Sequence, residues 1–418
     1  MIRHSAAVVL LAMAAVPALA TADPGTIVWK GGGTTASGGG RTIAAVPRPG
    51  DGLHVRIWDG RRWNPDRRVL REGTVGTLAA AGSTGTLAVA SLTPGAAELR
   101  VLRADAWGPR ISVATPDPIG AALAVSPAGT VVFADRLPGG GIRVTRLRRG
   151  AAARTEQIAP PPGSVFGGTP RLETSADGRM LLTRTLSEGR EMRTEIFDVP
   201  ENSLIVRATA EPSVPGEVAA FASARRRSAI AFAQSRPEGM VLTGLQRAGG
   251  PFVEAGVLAT GAFTGGPGVS HLWGPGVSAP TGAGTSLDVT WLDGRYESAS
   301  RGAEWHASST LLTTTVIAGT PAPTPERLAQ RVGEQETVTY GKRTAVIWRE
   351  ATGALRRVRL AVGRPGRGWR IITLSRQSSS AYPAGPVTLD VDGDELVASW
   401  PDRGRLRVAR LGRTELRR

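Results

Sequence analysis

The residue types that most often build catalytic or metal sites are scarce in this chain. It has no cysteine, and beyond His4 it has three histidines, His54, His271 and His306. None of these three has a second ligand at the spacing that metal sites use. The absence of cysteine excludes thiol catalysis and zinc–thiolate sites. The sequence therefore predicts no metal ion and no other cofactor.

One acidic run has the alternation of a calcium loop. In "DVDGDE", Asp390–Glu395, acids occupy every second position, as calcium ligands do. The glycine is fourth rather than sixth, and the twelfth position is Pro401 rather than a glutamate. We interpret the run as an Asp-Gly turn between two strands.

A tyrosine and an acid form the best acid–nucleophile pair for glycoside chemistry. In "EQETVTYGKR", Glu336 precedes Tyr340 by four residues, and Arg343 follows. Residues four apart share one face of a strand. The sialidase signature Ser-x-Asp-x-Gly-x-Thr-Trp is absent. We expect Tyr340 to pack at a strand edge against the next structural unit. Paired carboxylates for glycoside hydrolysis would have to meet in space.

The densest basic run is "ARRRS" at residues 224–228. It lies between the apolar strands "VAAFAS" and "AIAFAQ", which predicts a solvated hairpin tip. The alternative is an anion contact made by Arg225, Arg226 and Arg227.

The chain as a whole is strongly basic. It has 51 Lys and Arg against 35 Asp and Glu, a formal charge of +16, and the basic residues are almost all arginine. A GC-rich coding bias would give such a surface without function. The functional alternative is attraction to polyanions such as wall polymers, anionic headgroups or acidic glycans. We expect no nucleic-acid partner, because no nucleic-acid module is recognisable.

The N-terminus has the pattern of a signal peptide. A short polar start precedes the apolar run "SAAVVLLAMAAV", which is too short to span a bilayer, and then "ALA" ends at residue 20. We expect residues 1–20 to be removed and the mature chain to begin at Thr21 without a transmembrane anchor. A retained anchor is the alternative. The predicted location is secreted, extracellular or periplasmic.

The elements between these residues are short strands. The chain has 54 Gly and 30 Pro, scattered between β-branched and apolar runs, which indicates many turns. One helix is predicted, at "TPERLAQRV", Thr324–Val332, with Thr324 as N-cap and Pro325 in the first turn.

A hairpin pattern recurs along the chain. "TVVFADRLPGGGIRVTRL", "TAVIWREATGALRRVRL" and "ELVASWPDRGRLRVARL" each join an apolar strand, a turn and an alternating strand. The end of the first strand recurs at Ala45, Val89, Phe133, Thr183, Phe232, Trp291, Trp348 and Trp400, with gaps of 44 to 59 residues by subtraction. The predicted hairpins lie near residues 42–58, 86–103, 130–147, 179–197, 229–245, 287–300, 344–360 and 395–411.

A period of this length with several strands per unit is typical of a β-propeller. The sequence therefore predicts an all-β fold: a single propeller of about eight blades of four antiparallel strands over residues 21–418. Seven blades are the alternative, because residues 261–320 are irregular. "TIVWKG" near the N-terminus is a candidate to complete the last blade.

The fourth unit resembles the WD40-like repeat of TolB-type exported propellers. "TSADGRMLLTRTLSEGREMRTEIFDV" has Ser175, Asp177 and Gly178 in the first turn, Gly189 in the second, and Phe197–Asp198 at the end. "SPAGTVVF" keeps the Ser and Gly in the third unit. The resemblance implies the propeller architecture and, loosely, a binding or scaffolding role.

Two functions remain open from sequence. The first is a non-enzymatic binding or scaffold protein, expected to be monomeric, with an unknown protein or an anionic envelope polymer as partner. The second is an extracellular glycan-active hydrolase with carboxylates at the channel mouth. Among the inner strands, acids are identified only at Glu173 and Glu217, which favours the first. A self-associating structural role is a third possibility.

Overall fold

The computed structural model describes most of the chain beyond the N-terminal segment. The described residues are 26–30, 33–71, 76–166, 169–174, 180–188, 191–201, 203, 205–207, 214–215, 217–224, 227–236, 239–248, 253–261, 270–278, 286–295, 309–317, 320–321, 324–352, 355–378, 387–402 and 404–416. The predicted signal peptide lies outside them.

Strands dominate the described residues, and they form antiparallel sheets of mostly four strands that follow one another along the chain. The first strand, β1 (Thr26–Lys30), belongs to the last sheet. Sheet 1 contains β2 (Thr34–Gly38), β3 (Arg41–Arg48), β4 (Gly52–Trp58) and β5 (Arg67–Leu70). Sheet 2 contains β6 (Gly76–Ala81), β7 (Leu87–Thr93), β8 (Gly95–Arg103), β9 (Ala106–Trp107) and β10 (Ile111–Thr115). Sheet 3 contains β11 (Asp117–Val125), β12 (Val131–Arg136), β13 (Ile142–Leu147) and β14 (Arg154–Ile158). Sheet 4 contains β15 (Val165–Phe166), β16 (Arg171–Thr174), β17 (Met180–Glu188), β18 (Glu191–Asp198), β19 (Val206–Arg207) and β20 (Val214–Pro215).

The second half of the chain repeats this arrangement. Sheet 5 contains β21 (Glu217–Ala224), β22 (Arg227–Arg236), β23 (Gly239–Ala248) and β24 (Val253–Gly261). Sheet 6 contains β25 (Ser270–Ser278), β26 (Ser286–Arg295), β27 (Thr310–Ile317), β28 (Thr320–Pro321) and β29 (Glu326–Gln330). Sheet 7 contains β30 (Val332–Tyr340), β31 (Arg343–Thr352), β32 (Leu355–Arg364) and β33 (Gly368–Ser378). Sheet 8 contains β34 (Thr388–Asp392), β35 (Glu395–Asp402), β36 (Arg405–Leu411) and β1.

The all-β prediction is confirmed, but the predicted helix is wrong. The described residues contain one 3-10 turn, Pro138–Gly140, and no α-helix. Within Thr324–Val332 the chain forms β29, which pairs antiparallel with β27. Leu328 and Ala329 pack against the buried cluster that includes Leu311. Tertiary pairing and burial therefore override the N-terminal helix signal.

The periodic positions read from the sequence lie at matching places in the sheets. Ala45, Val89, Phe133, Trp291, Trp348 and Trp400 are each fully buried, and Thr183 is nearly so. Each of them lies on the first strand of a repeated hairpin, which follows the inner strand of its sheet. These strands are β3, β7, β12, β17, β26, β31 and β35. The repeat thus marks the core residue that packs between neighbouring sheets.

The sixth hairpin is longer than the sequence pattern predicts. β26 pairs with β27 from Ser286 opposite Ile317 to Asp293 opposite Thr310. The returning strand therefore begins well after residue 300, where the pattern ends, and residues 296–308 lie outside the described part of the chain.

The segment "SPAGTVVF" begins with a tight turn between β11 and β12 in sheet 3. The Ser126 hydroxyl accepts a hydrogen bond from the backbone N–H of Thr130 at 3.1 Å. Gly129 has φ +84, and a Cβ there would lie 2.8 Å from the Thr86 hydroxyl. Only glycine therefore fits this turn without strain. The corresponding residues of the fourth unit, Ser175, Asp177, Gly178 and Gly189, lie outside the described residues.

The N-terminal strand completes the last sheet. β1 pairs antiparallel with β36, with Thr26 opposite Val408 and Lys30 opposite Arg405. Sheet 8 thus consists of three strands from the C-terminal end of the chain and one from the N-terminal end. This pairing covers an edge that β36 would otherwise expose.

Neighbouring sheets contact each other in chain order. β2 contacts β6, β6 contacts β11, β11 contacts β16, and sheet 4 reaches sheet 5 through β17 and β18 against β21. β21 then contacts β25, β25 contacts β30, β30 contacts β34, and β34 contacts β2. Sheet 8 therefore lies against sheet 1. Most of these contacts are made by one strand from each sheet, and we call these strands the inner strands: β2, β6, β11, β16, β21, β25, β30 and β34.

Several arginines join neighbouring sheets. Arg100 of β8 donates to the Val69 carbonyl at 3.0 Å, and Arg103 donates to the Leu147 carbonyl at 3.0 Å. Arg184 of β17 is fully buried and pairs with Glu195. It also donates to the carbonyls of Ile158, at the end of β14, and Ala159, both at 3.1 Å. Part of the arginine excess is therefore structural, which neither interpretation of the charge anticipated.

Among the described residues, no helix is long and apolar enough to cross a membrane.

Candidate functional site

Three carboxylates on inner strands lie near one another although they come from distant parts of the chain. Glu173 is on β16, Glu336 on β30 and Asp390 on β34. We call them the inner acid group. The charge of Glu173 raises the pKa of both Glu336 and Asp390. Glu173 of sheet 4 therefore lies within electrostatic range of Glu336 in sheet 7 and Asp390 in sheet 8.

Glu173 is the most open member of the group. Surrounding protein atoms raise its pKa to about 7, and Arg171 opposes the rise. Its side chain is nevertheless exposed to solvent. It therefore faces a space that protein surrounds and water enters, and that water screens the charge. In the described part of the chain, Glu173 accepts no hydrogen bond.

Asp390, unlike Glu173, accepts a hydrogen bond from the main chain. Burial raises its pKa to about 7, a backbone hydrogen bond from Ser37 opposes the rise, and the charges of Glu173 and Asp392 add to it. Ser37 is on β2, so Asp390 connects sheet 8 with sheet 1. The side chain is half-buried.

Glu336 also has a raised pKa. Burial raises its pKa well above the ordinary value, and the charge of Asp390 raises it further. One carboxylate oxygen accepts a hydrogen bond from the backbone N–H of Leu389 at 2.7 Å. Like charges that share a site cannot all ionise readily, which favours the protonated form of at least one member.

Acids on the inner strands repeat one contact around the junction of sheets 7, 8 and 1. Glu334 accepts from the backbone N–H of Val387 at 3.2 Å, in addition to the Glu336–Leu389 bond. Asp392 accepts from the backbone N–H of Gly40 at 2.8 Å. Each acid thus binds the main chain of the next sheet. Hydroxyl groups reinforce the same junction, with Thr35 donating to Ser399 at 2.8 Å.

Small residues make up much of the inner strands of the first three sheets. β2 reads "TTASG", β6 reads "GTLAAA" and the end of β11 reads "AALAV". These inner strands contain no acid in the stretches quoted, which agrees with the scarcity of inner-strand acids that favoured the scaffold from sequence. The inner acid group instead resembles the carboxylates that the hydrolase alternative requires.

The structure separates the tyrosine–acid pair proposed from sequence. The Tyr340 hydroxyl donates to the Asp394 carbonyl at 2.6 Å, and its ring packs beside the core cluster of sheets 7 and 8. Burial, followed by the charge of Asp394, raises the pKa of Tyr340. Tyr340 therefore packs on the next sheet, as expected, while Glu336 belongs to the inner acid group.

The acidic run at the start of sheet 8 forms a turn. β34 ends at Asp392, Gly393 has φ +62 and β35 begins at Glu395. Asp392 and Glu395 both pair with Arg410, at 2.7 and 2.6 Å. Among the described residues, no group of three His, Asp or Glu side chains is arranged to hold a metal ion.

The other sequence candidates are placed only in part. His54 is buried between Asp66 and Asp51, with ring nitrogens 2.9 Å from each carboxylate. Arg225 and Arg226 lie outside the described residues, and β22 begins at Arg227, which pairs with Ala224 at the end of β21. The anion contact stays a prediction. His306 lies outside the described residues, and the side chains of His271 and Glu217 are not described.

Sequence reasoning missed the inner acid group as a unit. It noted Glu173 as an inner-strand acid, considered Glu336 only beside Tyr340, and interpreted Asp390 as part of a turn. The available signal was an acid in the strand that precedes the repeated hairpin in sheets 4, 7 and 8. The pattern does not show that sheets 4 and 8 bring their acids within electrostatic range of each other.

Comparison with known proteins gives remote structural likenesses. No protein-family model matches the chain, and no curated protein matches it. A crystal structure of a protein from Lactobacillus plantarum has a TM-score of 0.45 at 12% identity, covering 79% of this chain and 99% of that one. The GH93 α-L-arabinofuranosidase of Fusarium graminearum has a TM-score of 0.41 at 10% identity, covering 70% and 92%. The Aleuria aurantia lectin, a six-bladed β-propeller, has a TM-score of 0.33 at 15% identity, covering 58% and 82%.

These likenesses carry no argument about activity. The class of the protein follows from its own sheets: antiparallel units of one repeat, mostly four-stranded, each packed against the next in chain order. This is the architecture of the β-propeller superfamily.

Proposed function

We propose that the chain is an exported, closed propeller of eight blades, each sheet being one blade, and that it works as a non-enzymatic binding or scaffold protein. The succession of sheet contacts that ends with β34 against β2 supports closure, as does the pairing of β1 with β36. The N-terminal pattern supports export to the cell envelope or the medium, followed by removal of residues 1–20. The proposal also includes that the chain is related to TolB-type WD40-like propellers.

The observation that carries the binding role is the engagement of the inner-strand acids. Glu334, Glu336 and Asp392 each accept a backbone N–H from the next sheet. A carboxylate fixed in this way stabilises the junction of blades and has less freedom to move a proton during a reaction. The result is a rigid ring that presents loops on its two faces, where partner specificity resides.

The proposed partner is a protein or an anionic polymer of the envelope. The formal charge of +16 favours anions. Arginines such as Arg184 are used within the fold, so the charge available to a partner is smaller than the total. We therefore expect a shaped contact rather than charge attraction alone.

Capture from the producing cell's envelope extract tests this proposal. The bait is purified Thr21–Arg418, and the wash is repeated at about 0.1 M and about 1 M salt, where the Debye length falls from about 10 to about 3 Å. A partner kept at high salt supports a desolvated interface. Loss of all bound material at high salt, including any polyanion captured at low salt, contradicts it.

A second candidate function is glycan hydrolysis, favoured by Glu173. This carboxylate is water-accessible, accepts no hydrogen bond in the described part of the chain, and lies within electrostatic range of Glu336 and Asp390. A raised pKa suits a general acid, and a second carboxylate nearby is the usual partner in glycoside hydrolysis. The test is release of reducing sugar from the same extract by wild type and by Glu173→Gln. Release by wild type that Glu173→Gln abolishes supports the hydrolase, and no release by either protein contradicts it.

A further inference from the structure

A cavity lined by four arginines lies between the outer parts of sheets 1 and 2. Its volume is about 480 Å³, and its lining consists of Arg68, Val69, Leu70, Arg71, Arg100 and Arg110. Arg68 is on β5, Arg71 follows that strand, Arg100 is on β8 and Arg110 precedes β10. The cavity is thus formed by two neighbouring sheets, away from the inner acid group.

Two of the four guanidinium groups are neutralised by carboxylates. Arg68 pairs with Asp51 at 3.2 Å, and Arg110 pairs with Glu98 at 3.1 Å. The second oxygen of Glu98 is buried without a hydrogen-bond partner, so the negative charge of Glu98 stays close to the cavity. These pairs bring Arg68 and Arg110 to the cavity without adding net positive charge.

The other two guanidinium groups form no ion pair with a carboxylate in the described part of the chain. Arg100 donates only to carbonyl oxygens, that of Gly108 at 3.1 Å and that of Val69 at 3.0 Å, and lies over the Trp107 ring. The Arg71 guanidinium is exposed and has no partner in the described part of the chain, while the Arg71 carbonyl accepts a hydrogen bond from Arg68 at 3.3 Å. Arg100 is fixed by its contacts, whereas Arg71 is free to turn toward a ligand. Counting the described residues alone, the cavity therefore carries about two uncompensated positive charges.

We propose that this cavity binds a phosphorylated sugar unit. Guanidinium groups donate two parallel hydrogen bonds to oxyanions, and a phosphate monoester carries about −1.5 to −2 charge at neutral pH, which matches the two uncompensated arginines. A phosphate also has three terminal oxygens for donors from both sheets. The volume lies in the range of small-ligand sites, about 300–1,000 Å³, and exceeds what a lone phosphate fills. We call this cavity the arginine cavity.

Isothermal titration of the full mature chain with glucose 6-phosphate tests the arginine cavity. We expect saturable binding by wild type and a loss of about tenfold or more for Arg71→Glu, because a charge-assisted hydrogen bond contributes about 1.5–3 kcal/mol. The matched control is Arg367→Glu, which makes the same charge change at an exposed position between β32 and β33. We expect it to change affinity by less than about twofold, because Arg367 does not line the cavity and exposed charges are screened by salt.

Three further probes separate the sources of binding. Glucose should not bind, glucuronate should bind more weakly than glucose 6-phosphate, and inorganic phosphate should bind more weakly because it leaves much of the cavity empty.

Equal loss in Arg71→Glu and Arg367→Glu would show diffuse charge attraction and overturn the site. No saturable binding of glucose 6-phosphate by a folded wild-type protein would overturn it as well, and equal affinity for inorganic phosphate would overturn the sugar component. The outcome is independent of the capture and hydrolysis tests, which probe the loops and the inner acid group.

Discussion

The carboxylate of Glu336 accepts a hydrogen bond from the backbone N–H of Leu389 at 2.7 Å, which ties the inner strand of sheet 7 to that of sheet 8. Glu334 and Asp392 make the same kind of contact, and Asp392 carries it on to sheet 1. The acids therefore cluster where the two ends of the chain meet. Their mutual repulsion is offset in part by these backbone donors.

The inner acid group should make the stability of the protein fall as pH rises. Burial raises the pKa of Asp390 to about 7 in the folded protein, above its unfolded value. The folded state then binds more protons than the unfolded state between those two pKa values. The stabilisation is present below the unfolded pKa and is lost as pH rises through about 7. Urea unfolding of wild type at about pH 5 and about pH 8 measures the loss.

Asp390→Asn should flatten this dependence, because asparagine does not titrate. A single group contributes at most about 1.4 kcal/mol per pH unit, and water near the acid group makes the contribution smaller. Asp105→Asn, at an exposed residue paired with Arg41, serves as the control. An unchanged slope in Asp390→Asn would contradict the assignment of the raised pKa to this residue.

Arg184 should be among the most sensitive polar residues of the fold. It is fully buried with Glu195, and Arg184→Met leaves that carboxylate buried without its guanidinium partner. We expect a loss of about 3–5 kcal/mol in the free energy of unfolding. The double variant Arg184→Met/Glu195→Gln should recover much of this loss. A single variant within about 0.5 kcal/mol of wild type would show that the pair is not structurally important.

Removal of β1 should open the last sheet. A chain that begins at Gly31 loses the partner of β36, so the edge from Arg405 to Val408 becomes available for pairing with other chains. We expect a lower melting temperature, by about 2–4 °C for each kcal/mol lost, and more self-association than in Thr21–Arg418. Calorimetry and sedimentation measure the two effects. Equal melting temperatures and equal monomer content would contradict the closing role of β1.

Tyr340→Phe should have only a small effect on stability. It removes the 2.6 Å hydrogen bond to the Asp394 carbonyl but keeps the ring against the core of sheets 7 and 8. We expect a cost of about 0.5–1.5 kcal/mol in chemical unfolding and unchanged partner capture. Loss of a glycan-releasing activity in this variant alone would restore Tyr340 as a nucleophile.

The sequence was informative about the repeat because each unit buries the same position. Phe133 and Trp348 could be aligned from their spacing, and both are fully buried on corresponding strands. The helix predicted at Thr324–Val332 failed because pairing with β27 outweighs a local capping signal. The sixth hairpin was misjudged because the pattern does not show how far a chain excursion runs before its strand returns.

The candidate sites were harder to foresee. Glu173 and Asp390 are more than two hundred residues apart in sequence, and only the arrangement of sheets lets the charge of Glu173 raise the pKa of Asp390. Arg71 and Arg100 likewise come from two sheets and looked like ordinary members of a basic chain. Period-2 patterns predict which face of a strand a side chain occupies, and they do not predict what the next sheet places opposite it.

The most direct test of the binding proposal is capture from envelope extract by Thr21–Arg418 at high salt, run beside Glu173→Gln and with reducing sugar measured in the same samples. We predict that one specific partner stays bound at about 1 M salt to both proteins and that neither releases sugar. Release of sugar by wild type and not by Glu173→Gln, with no partner retained, would contradict the binding role and identify the inner acid group as catalytic.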